Sequence, residues 1–191
     1  MTREEAYQTL TVYTQSQNLI RHHLAAETAM RALANYLSAK NAIPYDADEW
    51  GITGLLHDAD YELTRKTPER HTFYLEEKLG KQIPEKIMYA IKAHNYTYTQ
   101  LKPLSSMDWA MYTCDELTGF IVACALILPD KKLKSVTVEF VLKKLEDSSF
   151  AKSVNREQIM KCEEALNIPI REFIRIVLTA MQQIDTELGL A

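Results

Sequence analysis

Apolar residues recur at three- and four-residue intervals from one end of this chain to the other, and little interrupts them. Five glycines and six prolines among 191 residues leave too few turn-formers for an all-β fold. The spacing therefore predicts an all-α chain, helix after helix. A first helix is expected over 3–15, with Ala6, Leu10 and Tyr13 on one face. A second is capped by Asn18 and runs to about Ala39, its inward stripe formed by Leu19, Ala26, Met30, Leu33 and Leu37. Further helices are read over about 48–56, 69–79, 84–93 and 106–128, with 95–104 irregular. Three more patterns follow at 136–146, 156–166 and 170–188. The β-branched start Val136-Thr137-Val138 still reads as helix, because Phe140, Val141, Leu142 and Leu145 continue it at helical spacing.

Composition narrows the function classes. Apolar residues at 47% and charged residues at 25% suit a globular chain with a sizeable core, and exclude disorder. A formal charge of −4 argues against a nucleic-acid polymer held on a basic surface. It leaves room for a phosphorylated small molecule whose charge a metal offsets. Cys114, Cys124 and Cys162 have no metal-finger spacing and read as buried free thiols of a reducing compartment. The acidic start Met1-Thr2-Arg3-Glu4-Glu5 lacks signal-peptide character, and the stretch 120–128 is too short to span a membrane. A cytoplasmic protein with no membrane partner is expected. No Gly-rich phosphate loop or Gly-x-Ser-x-Gly turn occurs.

The five histidines carry more information. His57 and Asp58 end the apolar run Ile52-Thr53-Gly54-Leu55-Leu56, so an imidazole and a carboxylate emerge where a buried helix finishes. The helix dipole disfavours a carboxylate there, and Asp58 calls for a positive partner: a metal, or simply a nearby cation. His22 and His23 both interrupt the inward stripe of the second helix, and periodicity does not choose between them. Each also reads as a core histidine bonded to a carbonyl. Asp115 lies within a helix otherwise fit for burial, where a carboxylate needs a salt bridge or a metal. His71 can be a polar residue opening an exposed helix, and His94 a dipole partner at a helix end.

As an ordered set, His22, His57-Asp58, His71, His94 and Asp115 resemble the HD superfamily of metal-dependent phosphohydrolases. The segment His22-His23-Leu24-Ala25-Ala26-Glu27 is similar to that family's first-histidine helix. Gly54-Leu55-Leu56-His57-Asp58 resembles its namesake doublet, and Cys114-Asp115-Glu116-Leu117 its closing aspartate helix. The resemblance spans about 19–125, within a single HD-type helical bundle over 1–191 whose residues 126–191 form a helical extension, for packing or a homodimer seam. It implies one metal held by His22, His57, Asp58 and Asp115. His71 and His94 match the extra histidines of two-metal members, in which the doublet aspartate bridges both ions. One or two divalent ions are implied, iron or manganese ahead of zinc, nickel, cobalt or magnesium.

The activity implied is hydrolysis of a phosphoester or phosphoanhydride on a nucleotide-like small molecule by metal-activated water. A mixed-valent di-iron oxygenase and a non-catalytic ligand-sensing module are the alternatives. One departure stands out. Many two-metal relatives follow the doublet with Gly and Lys, whereas this chain has Ala59 and Asp60, and it lacks the Gly-Tyr-Pro signature of cyclic-dinucleotide phosphodiesterases. The cation near a phosphate is then expected from Arg65, Lys66 or Lys102. Asp60 is expected to orient His57 or a metal-held water, or to cap the next turn.

Overall fold

A computed structural model describes residues 1–191, and it is helical with no strand. The first helix, α1 (Arg3–Tyr13), opens on a capping box in which Thr2 and Glu5 exchange backbone bonds. The second, α2 (Gln17–Asn41), is the longest element and the spine of the fold. It begins at Gln17 behind Ser16, so Asn18 lies inside it and does not cap it. Ile20 rather than Leu19 starts the buried stripe, which then continues through Ala26, Met30, Leu33 and Leu37.

Asp46 caps α3 (Ala47–Leu56) by accepting from Asp48 and Glu49. This helix runs antiparallel to α2, and Gly54 sets how closely. A Cβ on Gly54 would stand 2.6 Å from the Ala26 carbonyl oxygen and 2.8 Å from the Glu27 nitrogen. Only a residue without a side chain lets the two backbones meet there.

After α3 the chain makes a tight turn into the single-turn α4 (Tyr61–Thr64). The helix expected over 69–79 is broken in two. A 3₁₀ turn at Pro68–Arg70 stops at His71, Thr72 takes a positive φ of 72°, and α5 (Phe73–Leu79) starts afresh. Next come α6 (Glu85–His94) and α7 (Tyr96–Thr99), the latter within the stretch read as irregular.

Ser105 and Asp108 form a capping box for α8 (Ser106–Leu126), which lies antiparallel to α2 and touches α3 where Thr53 meets Met107. The remaining helices are α9 (Val138–Glu146), α10 (Arg156–Leu166), α11 (Ile170–Gln182) and α12 (Asp185–Leu188). Val136 and Thr137 are extended, with Thr137 capping α9, because a cap needs non-helical backbone. The pattern at 170–188 divides after Gln182.

Two hydrophobic clusters hold these elements. The larger joins α2 and α8 to Val141, Ile159, Cys162, Phe173, Ile174, Val177 and Met181 of the later helices. The C-terminal helices therefore share one core with the spine. A buried side chain the size of Phe173 contributes about 1.5–3 kcal/mol. The smaller cluster packs Ala6 and Leu10 of α1 on Leu55, Leu56, Leu75, Ile87 and Ile91. Both α3 and α6 contribute to each cluster, so the ends of these helices are held firmly. All three cysteines are buried and free. No helix is long and apolar enough to cross a membrane.

Candidate metal centre

The ends of α3 and α6, the second turn of α2 and the middle of α8 help bring six side chains to one point. His22 comes from α2, His57 and Asp58 from the end of α3, His94 from the last turn of α6, and Asp115 from α8. His71 comes from the break before α5. Asp58 stands at the centre, and its two oxygens face different partners. Oδ1 lies 2.9 Å from His71 Nε2 and 3.2 Å from His94 Nε2. Oδ2 lies 3.9 Å from His22 Nε2 and 3.8 Å from His57 Nε2. Asp115 Oδ1 completes that second group, 3.0 Å from His22 Nε2 and 3.3 Å from His57 Nε2.

The outer hydrogen bonds decide what these nitrogens present. A backbone carbonyl only accepts, so His57 Nδ1 donates its proton to the Gly54 carbonyl at 2.8 Å. His94 Nδ1 donates to the Ile91 carbonyl in the same way. His71 Nδ1 donates to Asp60 Oδ1 at 2.7 Å. The Thr118 hydroxyl donates to the Asp115 carbonyl, leaving it to accept from His22 Nδ1 across a long 3.5 Å contact. In the deprotonated form that ligates a metal, each ring so bonded turns a bare Nε2 lone pair inward.

Lone pairs do not face one another without a cation between them. Yet His22 Nε2 lies 3.2 Å from His57 Nε2, and His71 Nε2 lies 3.3 Å from His94 Nε2. Two adjacent ligands each about 2.1 Å from a metal ion stand about 3.0–3.4 Å apart. The nitrogen pairs have that spacing, as does Asp115 Oδ1 beside the first pair, and Asp58 Oδ1 lies close to it beside the second, whereas Asp58 Oδ2 stands farther off at 3.8 and 3.9 Å. Two groups, His22-His57-Asp58 and Asp58-His71-His94, bring their donor atoms within 4.8 Å of one another and can each hold a metal ion. The fixed tautomers are the second-sphere pattern that metal-ligating histidines show.

Without metal, protons take the cation's place. Burial opposes charge on His57, but Asp58 and Asp115 outweigh it and raise its pKa to about 9. Burial likewise opposes charge on His71, and Asp58 and Asp60 raise it to about 10. Burial would raise the carboxyls of Asp58 and Asp115, yet the surrounding imidazoles hold both well below the usual range. The site is built to keep its carboxylates ionised.

Asp60 has a different task from the one expected. Fully buried, it orients His71 and not His57, which the Gly54 carbonyl holds. Its other bonds come from the backbone N–H groups of Thr72 and Leu75, 2.9 Å from Oδ2 in both cases. Asp60 thus caps α5 from a distance while Thr72, at the cap position, makes no side-chain cap bond. One carboxylate ties the helix start to the imidazole's angle. His71 and His94 are both buried, which removes the reading of His71 as an exposed helix opener.

The neighbours His22 and His23 separate cleanly. His22 enters the cluster, whereas His23 is fully buried with neither ring nitrogen bonded, and burial drives its pKa well down. Arg65, Lys66 and Lys102 are not brought into the cluster: Arg65 and Lys66 stand exposed on the loop after α4, and Lys102 lies between α7 and α8, also exposed. Sequence reasoning missed Thr118 and the Ile91 carbonyl. Thr118 had a signal, since it lies three residues after Asp115 on the same face of α8. The cluster's open edge is formed by His22, Asp115 and Asp58, whose side chains are 21, 20 and 15% exposed. His57 is fully enclosed. Comparisons with protein-family models, curated proteins and solved structures each find no match.

Proposed function

We propose that this chain is a metal-dependent phosphohydrolase of the HD type, cleaving a phosphoester or phosphoanhydride of a nucleotide-like small molecule. The observation that carries the reading is Asp58, whose two oxygens each face a separate pair of imidazole nitrogens. That arrangement suits two divalent ions sharing one carboxylate. His22, His57, Asp58 and Asp115 would hold one, and Asp58, His71 and His94 the other. Such ions, when bound, polarise a phosphoryl oxygen and bring the pKa of water toward neutrality.

The protein's own residues do the rest. Gly54, Ile91 and Asp60 accept the Nδ1 protons of His57, His94 and His71, so those rings neither rotate nor change tautomer during turnover. Enclosure of His57, His71 and His94 excludes water from the back of the site. The exposed edges of His22, Asp58 and Asp115 leave one face on which a phosphate can land. The donors are imidazole and carboxylate without thiolate, since buried Cys114 faces the Met111 carbonyl, and this set favours iron or manganese.

The test is phosphate release from a panel of nucleotides and simple phosphoesters by protein reconstituted with Mn²⁺ or Fe²⁺. Release that EDTA abolishes and added metal restores is expected. No release with any metal would overturn the reading, most decisively if iron-loaded protein consumed oxygen instead.

A further inference from the structure

We infer that the cavity beside His22 is the subsite for the nucleoside portion of a nucleoside phosphate, with Arg21 as its polar anchor. The inference rests on the phosphohydrolase reading for the phosphate's position, but the cavity has observations of its own. Its volume is about 340 Å³, within the range of small-molecule sites. It lies among α2, α8 and residues 188–190, and His22 belongs to both the cavity wall and the metal cluster.

The helical repeat explains why the two adjoin. Asn18 is one turn before His22 on α2, and Gly119 and Val122 are one and two turns beyond Asp115 on α8. Because the helices are antiparallel, the faces carrying His22 and Asp115 continue together into the cavity. A substrate with its phosphate at the cluster would extend its body along this direction.

The lining has mixed chemistry. Val122, Leu126, Leu188 and Leu190 present aliphatic surface, on which a planar base can lie. Asn18 and Arg21 present amide and guanidinium donors. Arg21 is exposed and paired with no carboxylate, and its guanidinium lies against Gly189. A Cβ on Gly189 would meet the guanidinium carbon at 2.7 Å, and Gly189 has a φ of +70°. Glycine favours that backbone, and its missing side chain leaves room for the guanidinium. Arg21 thus places a cation beside the segment after α12 at the cavity wall, where Arg65 and Lys66 do not reach.

Gly119 supplies the second argument. It sits within α8, where glycine weakens a helix, and no atom lies within 4 Å of where its Cβ would be. No packing neighbour requires a glycine there. What its missing side chain preserves is the cavity.

The experiment uses metal-loaded full-length protein, with equilibrium dialysis against the 5′-monothiophosphates of adenosine, guanosine, cytidine and uridine and against inorganic phosphate. Gly119→Leu should fill the cavity while keeping helix content and metal content. It is expected to weaken binding of the preferred nucleoside monothiophosphate by about tenfold or more and leave phosphate binding unchanged. Arg21→Gln should weaken the nucleoside ligand selectively too. Equal binding by wild type and Gly119→Leu would overturn the subsite, as would a wild type that binds no nucleoside ligand more tightly than phosphate. Nucleoside binding that depends on Gly119, without phosphate release from the natural nucleotides, would sink the phosphohydrolase reading and leave the subsite standing.

Discussion

Adding one methyl group at Gly54 should damage both stability and metal binding, and the geometry gives the size. The new Cβ would lie 2.6 Å from the Ala26 carbonyl oxygen, whereas ordinary contact starts at 3.4 Å, so backbone must retreat by about 0.8 Å. Neither partner can rotate away, since the obstacle is main chain within α2. Overpacking of this kind costs about 1–3 kcal/mol. For a chain of this size that lowers Tm by about 2–12 °C. The displacement also separates His22 on α2 from His57 on α3, in a site whose geometry tolerates about 0.5 Å. The assay is thermal unfolding of Gly54→Ala in EDTA, followed by metal content after reconstitution. Gly119→Ala is the matched control, a helical glycine with open space around it, expected to raise Tm by about 1–4 °C. A Gly54→Ala protein that melts like wild type and binds the same metal would refute the close-approach argument.

Three further outcomes follow from the same contacts. Asp60→Asn should weaken the ion beside His71 by about 10–100-fold, spare the ion beside His22 and destabilise α5, as read by metal titration and hydrogen exchange at 73–79. His22→Ala should lose the ion facing Asp115, whereas His23→Ala should keep metal content, and equal loss from both would contradict the assigned roles. In metal-free protein His57 is raised to about 9 and His71 to about 10, so their contribution to stability is full below about 6.5 and fades as pH rises through those values. The depressed carboxyls of Asp58 and Asp115 contribute above about 3.8 and lose that contribution as pH falls. Metal must displace the histidine protons, so its apparent affinity should rise between pH 6 and 9, and a flat profile in calorimetric titrations would contradict the cluster's assignment.

Much of the architecture was legible because helical periodicity is a local property. The apolar stripes of α2 and α8 needed only spacing, and histidines or carboxylates interrupting such stripes stood out. What was not legible depended on contacts between distant segments. Asp60 meets His71 only because the chain breaks at Thr72, with a positive φ that no residue preference announces. The start of α2 at Gln17 was missed because Asn18 and Ser16 are equally good caps by side-chain chemistry, and Ser16 makes no cap bond that would set it apart. His22 and His23 differ by one helical step of about 100°, and only the position of Asp115 on α8 decides which one points to the cluster.

The most direct test of the account is metal content per chain, measured on anaerobically purified wild type and on Asp58→Ala. The account predicts about two Fe or Mn ions in wild type. In the variant it predicts loss of both, with helix content unchanged, because Asp58 belongs to both groups that would hold an ion. Wild type that takes up no metal even on reconstitution, or a variant that retains the full complement, would contradict it.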